Sequence, residues 1–223
     1  MATIITIEGN IGSGKSTFLD YVRRRVDGRE DVVILDEPVA EWEAIKDADG
    51  RSMLELFYGD TARYGFPFQM LAFISRLALI NDALDEARQK KERPIIICER
   101  SLACDRNVFA QMLKDDNKIS DVEFNIYLKW YEYFTRKLPP SNIVYLRCHP
   151  EVADKRITKR ARVGEAVSMA YLHACHAYHE RWIGRTGATV LDSSVQKTDC
   201  VYAAWYNDSI QKILDASDSI SKS

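Results

Sequence analysis

The sequence has no excess of charge of either sign. Its 223 residues carry 31 Lys and Arg against 33 Asp and Glu. A nucleic-acid track needs a long basic block, and none is present. The densest basic stretch, Lys155 to Arg162, is local. Paired cysteines are also lacking. Cys98, Cys104, Cys148, Cys175 and Cys200 are odd in number and contain no C-x-x-C spacing. That argues against a disulfide framework or a thiolate zinc site and for reduced thiols. No apolar run approaches the length of a membrane span, and no internal repeat is visible. The first strand-like run begins at residue 3, so no leader is expected. The expectation is a cytoplasmic protein, with the nucleus open and a mitochondrion only if a transit segment was removed. No Ser/His/Asp or Cys/His arrangement suggests acyl transfer. His173, His176 and His179 recur every three residues, a spacing that drifts around a helix. They are read as packing or surface groups, not as three ligands of one metal.

What is present is a phosphate-binding loop. Gly9-Asn10-Ile11-Gly12-Ser13-Gly14-Lys15-Ser16 fits G-x-x-x-x-G-K-[ST] without a mismatch. The strand-like run Thr3–Ile7 precedes it and a helical stretch, Ser16 to Val26, follows. Glycines let backbone N–H groups turn inward as an anion nest, and the helix N-terminus adds its positive dipole end. Lys15 is expected at the β and γ phosphates of a nucleoside triphosphate and Ser16 on Mg²⁺.

Five β-branched runs read as strands: Thr3–Ile7, Val32–Leu35, Pro94–Cys98, Ile143–Leu146 and Ala188–Leu191. Each is nearly continuously apolar, as strands buried on both faces are. Helical stretches separate them. Pro67 to Lys90 is one long helix by its periodicity, and Val122 to Phe134 is a second amphipathic stretch, each suited to a core or a dimer face. The expected architecture is α/β: a doubly wound, five-stranded parallel sheet of the P-loop kinase kind, with flanking helices and an Arg-containing lid at about residues 156–168. Residues 1–214 are expected as a single domain and 215–223 as a polar tail without structure.

Phosphoryl transfer to a hydroxyl needs a phosphate cradle, a metal, cations on the equatorial oxygens and a carboxylate near the attacking hydroxyl. Polar residues stand at the strand ends where such groups belong. Glu37, after the second run, is the best candidate base, and Asp36 is a weaker one. After the third run, Glu99 could hold Mg²⁺ through water and Arg100 could brace the γ phosphate or the base. The alternative for that pair is a structural ion pair. Arg160 and Arg162 read as a lid whose guanidiniums close over the phosphates; the plainer reading is a solvated helix end.

Several separated motifs together resemble the deoxynucleoside kinases of the deoxycytidine and deoxyguanosine kinase kind. They are the stretches Ile7–Thr17, Glu37–Trp42, Phe66–Gln69, Glu99–Arg106, Tyr145–Val152 and Tyr171–Trp182. The resemblance covers residues 4 to about 192. It implies ATP and Mg²⁺ with a deoxynucleoside as acceptor, nucleotide salvage, and a homodimer. It assigns Glu37 to the 5′-hydroxyl proton, Arg100 to that hydroxyl region, and Ser16 and Glu99 to the metal. Gly9 to Thr17 (including Thr17), Arg156, Arg160 and Arg162 fall on ATP. Tyr58 and Glu165 fall on the 3′-hydroxyl, Gln69 on the base edge and Phe109 on the base face, with Phe68 and Trp42 as walls.

Ala72, Arg76 and Asp105 match relatives that prefer an amino-bearing base to thymine. An ionised Asp suits an exocyclic amino group and repels a carbonyl. The alternative is that Arg76 and Asp105 form only a structural salt bridge. The chain departs from the pattern at Phe57, Asn107 and Gly164. Two other functions compete. One is a nucleoside monophosphate kinase, against which Glu37 speaks, since an acceptor phosphate calls for a cation there. The other is a kinase-like accessory subunit of mitochondrial complex I without catalysis, against which Lys15, Glu37, Glu99 and Arg100 speak.

Overall fold

The alternating isoleucines of the first strand face two different cores. Ile5 and Ile7 point to one side of the sheet and Ile4 to the other. Such a strand stays in place only if both faces are covered, which parallel crossovers achieve. The computed structural model describes residues 2–90, 93–162, 165–195 and 198–221, with side chains to residue 217. Strands β1 (Thr3–Gly9), β2 (Val32–Leu35), β3 (Ile95–Glu99), β4 (Ser141–Arg147) and β5 (Thr189–Asp192) form one parallel sheet, in the order β2-β3-β1-β4-β5. All five expected strands are present, most of them reaching a residue or two beyond the apolar run.

The helices follow in chain order. They are α1 (Lys15–Arg25), α2 (Val39–Ala44), α3 (Met53–Gly59), α4 (Thr61–Lys90), α5 (Leu102–Cys104), α6 (Gln111–Asp115), α7 (Asp121–Thr135), α8 (Pro150–Arg160), α9 (Met169–Ile183), α10 (Asp199–Tyr206) and α11 (Lys212–Ser221). A π-helical turn, Asp105–Ala110, joins α5 to α6, and another, Asn207–Gln211, joins α10 to α11. On one face Phe18, Leu19 and Val22 of α1 pack with Tyr202, Trp205 and Tyr206 of α10 over Ile5, Ile7, Ile95 and Ile97. On the other, Phe73, Leu77, Ile80 and Leu84 of α4 cover Ile4, Ile96 and Cys98, with Tyr127 of α7. Burying each such side chain contributes about 1.5–3 kcal/mol.

Local chemistry sets the helix starts. Ser52 with Glu55, and Ser120 with Glu123, are capping boxes for α3 and α7. Pro150 opens α8, where its missing N–H costs nothing.

The structure differs from the sequence reading at two places. Helix α4 starts at Thr61, upstream of Pro67, so the proline lies inside it. Pro67 costs the helix a hydrogen bond. The turn ahead of it is held by tertiary packing: Tyr64 and Phe66 join the cluster of Trp42, Leu54 and Phe57. The second difference is the tail. Residues from Asp215, expected without structure, continue helix α11 to Ser221, anchored just upstream by buried Ile210 and Leu214. Residues 222–223 lie outside the described residues, as do Val163 and Gly164 within the expected lid, and with them the departure at Gly164.

Candidate active site

Register brings the strand ends to one edge. Ile7 pairs with Glu99 on one side and Val144 on the other, and Leu35 pairs with Cys98. The loop after β1 therefore emerges beside the ends of both β3 and β4, and β3 stands between it and β2. Glu37 and Arg100 meet across that gap.

Gly9, Gly12 and Gly14 have φ of 150°, 75° and 93°, values that favour glycine. At Gly9 a Cβ would lie 2.8 Å from the Leu146 carbonyl oxygen. Lys15 opens α1 and is buried, with Nζ 3.1 Å from the Asn10 carbonyl and 3.8 Å from Glu99. Burial, then repulsion from Arg100, lowers its pKa from 10.5 to about 8. Ile11, Gly12, Gly14, Lys15, Ser16 and Thr17 line a cavity of about 800 Å³. Gly9, Asn10 and Ser13 do not line it; they hold the loop in shape. Asn10 donates Nδ2 to the Leu172 carbonyl of α9 at 2.9 Å. The Ser13 carbonyl accepts from the Ser193 hydroxyl and from Arg156 at 3.3 Å. Ser193 was not singled out by sequence, because nothing local marks a brace that comes from the far end of the chain.

Every residue assigned to the acceptor lines the same cavity: Glu37, Trp42, Tyr58, Phe68, Gln69, Ala72, Arg76, Arg100, Asp105, Phe109 and Glu165. Glu37 Oε1 accepts from Arg100 Nε at 3.1 Å and from Arg76 Nη2. Burial opposes its ionisation, yet Arg100 and Arg76 outweigh that and hold its carboxyl below the ordinary carboxylate range. Arg100 is fixed on three sides. Nη1 donates to the Gly9 carbonyl at 3.0 Å, its guanidinium lies 4.7 Å over the Phe109 ring, and its backbone sits at φ 69°. A non-glycine residue in the left-handed region costs of order 1–3 kcal/mol and marks a built site. Asp36, the weaker candidate base, also lines the cavity, but it is exposed and paired with Arg23 at 2.8 Å.

Arg76 and Asp105 are indeed a salt bridge. Nη1 meets both Asp105 oxygens, at 2.5 and 2.6 Å. They also face the cavity, so the two readings of this pair are not exclusive. Burial pushes Asp105 up to about 6 against the pull of Arg76 and Arg100, while the Arg76 guanidinium on both of its oxygens favours the carboxylate form. In the same cavity Gln69 is buried, and its Oε1 has no hydrogen-bond partner among the described residues. An orphaned amide oxygen costs about 1–3 kcal/mol. Here it points to a polar ligand. Apolar walls complete the slot: Phe57 stacks on Phe68 at 4.4 Å, and Trp42 meets Phe68 edge-on at 5.3 Å. Phe57, one of the departures, is thus part of this wall. The Asn107 departure is local: its side chain bonds Arg106 and the Ala103 carbonyl.

The lid arginines are partly engaged. Arg160 reaches Glu165 at 2.5 Å, and Arg162 and Lys159 also line the cavity. Tyr171 lines it too and meets Tyr58 edge-on at 6.4 Å. Sequence reasoning gave Tyr171 no role, although it opens one of the recognised motifs. Of the histidines, His179 is buried against the Cys175 carbonyl and the Tyr145 ring, and His173 is exposed near Glu151. Among the described residues no three such side chains gather as a metal cluster. Cys98, Cys104, Cys148 and Cys175 are buried and Cys200 is exposed, none in a disulfide.

The sequence profile of the deoxynucleoside kinase family matches residues 5–218. The deoxycytidine kinase of Mus musculus is 32% identical over 196 residues, which cover 80% of this chain and 74% of its own length. That of Homo sapiens is 31% identical over 196 residues, covering 80% and 74%. The mitochondrial thymidine kinase 2 of Homo sapiens is 32% identical over 184 residues, covering 81% of this chain and 64% of its own. The chain belongs to the deoxynucleoside kinase family: it is an ATP-dependent nucleoside kinase.

Proposed function

We propose that this kinase transfers the γ-phosphate of ATP to the 5′-hydroxyl of deoxycytidine, deoxyadenosine or deoxyguanosine in preference to thymidine. The observation that carries the preference is the Arg76-paired Asp105 and the orphaned Gln69 amide lining one aromatic-walled cavity. Together they present acceptors and an amide donor to a base edge, and a carbonyl facing Asp105 would lose its hydrogen bond.

Glu37 takes the hydroxyl proton. Both arginines bond its Oε1, which leaves Oε2 for the hydroxyl in the cavity that Glu37 lines. A carboxylate of low pKa is a weak base in the ground state. It accepts its proton late, as the transferring phosphoryl group makes the hydroxyl acidic. Lys15, Arg156, Arg160 and Arg162 stabilise charge spread over the phosphates. Mg²⁺ fits here: the Ser16 hydroxyl and the buried Glu99 carboxylate are hard oxygen donors, and burial, opposed chiefly by Lys15, raises the Glu99 pKa in the absence of a further cation. Held by Ser16 and, through water, by Glu99, the ion would supply charge neutralisation at the phosphates. Tyr58 and Glu165 stand ready for the 3′-hydroxyl, and Phe109 for the face of the base. A second copy of the chain covers the apolar face of α7, as argued below.

A panel of the four deoxynucleosides and their monophosphates, each with Mg²⁺ and ATP, tests this reading. Deoxycytidine or a purine deoxynucleoside should give the highest kcat/KM. Glu37→Gln should lower kcat by about 10²-fold. Thymidine as the best substrate overturns the preference. Turnover of a monophosphate alone overturns the hydroxyl acceptor.

A further inference from the structure

Arg76 belongs to two sites at once. Its Nη1 is spent on both oxygens of Asp105, and its Nη2 on Glu37. Its Nε has no partner among the described residues. The guanidinium lies over the Trp42 ring at 5.1 Å, and Trp42 is itself tied to Ser75 at 3.0 Å. The plane of the guanidinium is thereby set, and Arg76 cannot turn toward one carboxylate without losing geometry at the other. A planar fork bonded at both tips is rigid in a way a lysine is not.

We propose that Arg76 is a positioning residue that couples nucleobase recognition to phosphoryl transfer, so that the identity of the base is read in kcat as well as in KM. The proposal rests on the deoxynucleoside reading of the site and deepens it. A base whose amino group donates to Asp105 leaves Arg76 bridging both carboxylates, with Glu37 oriented for the hydroxyl. A base that presents a carbonyl is repelled by Asp105 and attracted by the guanidinium. It draws Arg76 off Glu37 Oε1, and Glu37 then keeps only Arg100 to set its angle. A small misplacement of a reacting group is enough to cost about 10²-fold in rate.

The test is steady-state kinetics of the wild type, Arg76→Met and Arg76→Lys with saturating Mg²⁺·ATP and either deoxycytidine or thymidine. In the wild type, kcat for deoxycytidine should exceed kcat for thymidine. In Arg76→Met, kcat for deoxycytidine should fall by about 10- to 100-fold, and the kcat ratio between the two nucleosides should collapse toward one. Arg76→Lys keeps the buried charge and preserves the fold, but reaches only one carboxylate; the ratio should collapse there as well. The proposal is overturned if both variants keep the wild-type kcat values and raise KM alone. It is equally overturned if they lower both kcat values by the same factor, as a purely structural role would. A wild type inactive on every deoxynucleoside would instead refute the functional reading beneath it.

Discussion

Lys15 shows how much a single side chain depends on what surrounds it. Any phosphate loop carries this lysine, but here burial and the neighbouring Arg100 bring its pKa down to about 8. The ammonium predominates below that pH and is lost as pH rises through it. Affinity of the free protein for ATP should therefore weaken as pH climbs past about 8. Bound phosphates favour the charged form, so binding above that point should take up a proton. Calorimetry in buffers of different ionisation enthalpy measures both effects. Lys15→Met should bind weakly with no inflection in that range, and an inflection that survives the substitution assigns it to another group. The lysine, the glycines and Glu37 were legible in sequence because loop geometry and strand-end position are local. Of the partners of Glu37, Arg100 was an expected brace because it too stands at a strand end, although it lies 63 residues away; Arg76, 39 residues away in the middle of a helix, was not.

At the scale of elements, the lid is the part with two duties. Arg160 ends α8, and Ala161 caps that helix in the left-handed region at φ 49°. Arg160 then meets Glu165, and both line the cavity. With the roles proposed above, this one ion pair would link the phosphate contacts to the sugar contacts. Glu165→Gln should raise KM for ATP and for the deoxynucleoside together, as loss of a closing contact does. A rise confined to the deoxynucleoside would mean that Glu165 serves the acceptor alone. Helix α8 was visible in sequence from Pro150 onward because proline and charge mark its ends. Helix α4 was only partly visible. A proline ends a helix by local rules, and only the burial of Tyr64 and Phe66 carries α4 back to Thr61. The same holds for α11, whose polar residues gave no sign that Leu214 would be buried.

For the whole molecule, the conspicuous surface is an apolar one. Val122, Ile126, Trp130, Tyr133 and Phe134 of α7 are exposed, Val122 at 69%, and Ile74 of α4 is exposed at 50%. The two helices touch, with the Phe73 and Phe134 rings 6.4 Å apart. A contiguous patch of this kind marks an interface. The chain should sediment as a dimer, and Ile74→Glu with Trp130→Glu should sediment as a monomer with unchanged circular dichroism. A monomeric wild type at micromolar concentration refutes the second copy. The sequence by itself determined the parallel strands, the phosphate loop and the carboxylates after the strands. Periodicity and turn chemistry act over a few residues and need no partner. Tertiary structure alone decided that Asp105, Arg76 and Glu37 share one guanidinium, that Ser193 braces the loop and that a proline sits within α4. Those contacts join residues far apart in the chain, and their energy comes from burial and charge pairing that exist only once the sheet has set its strand order.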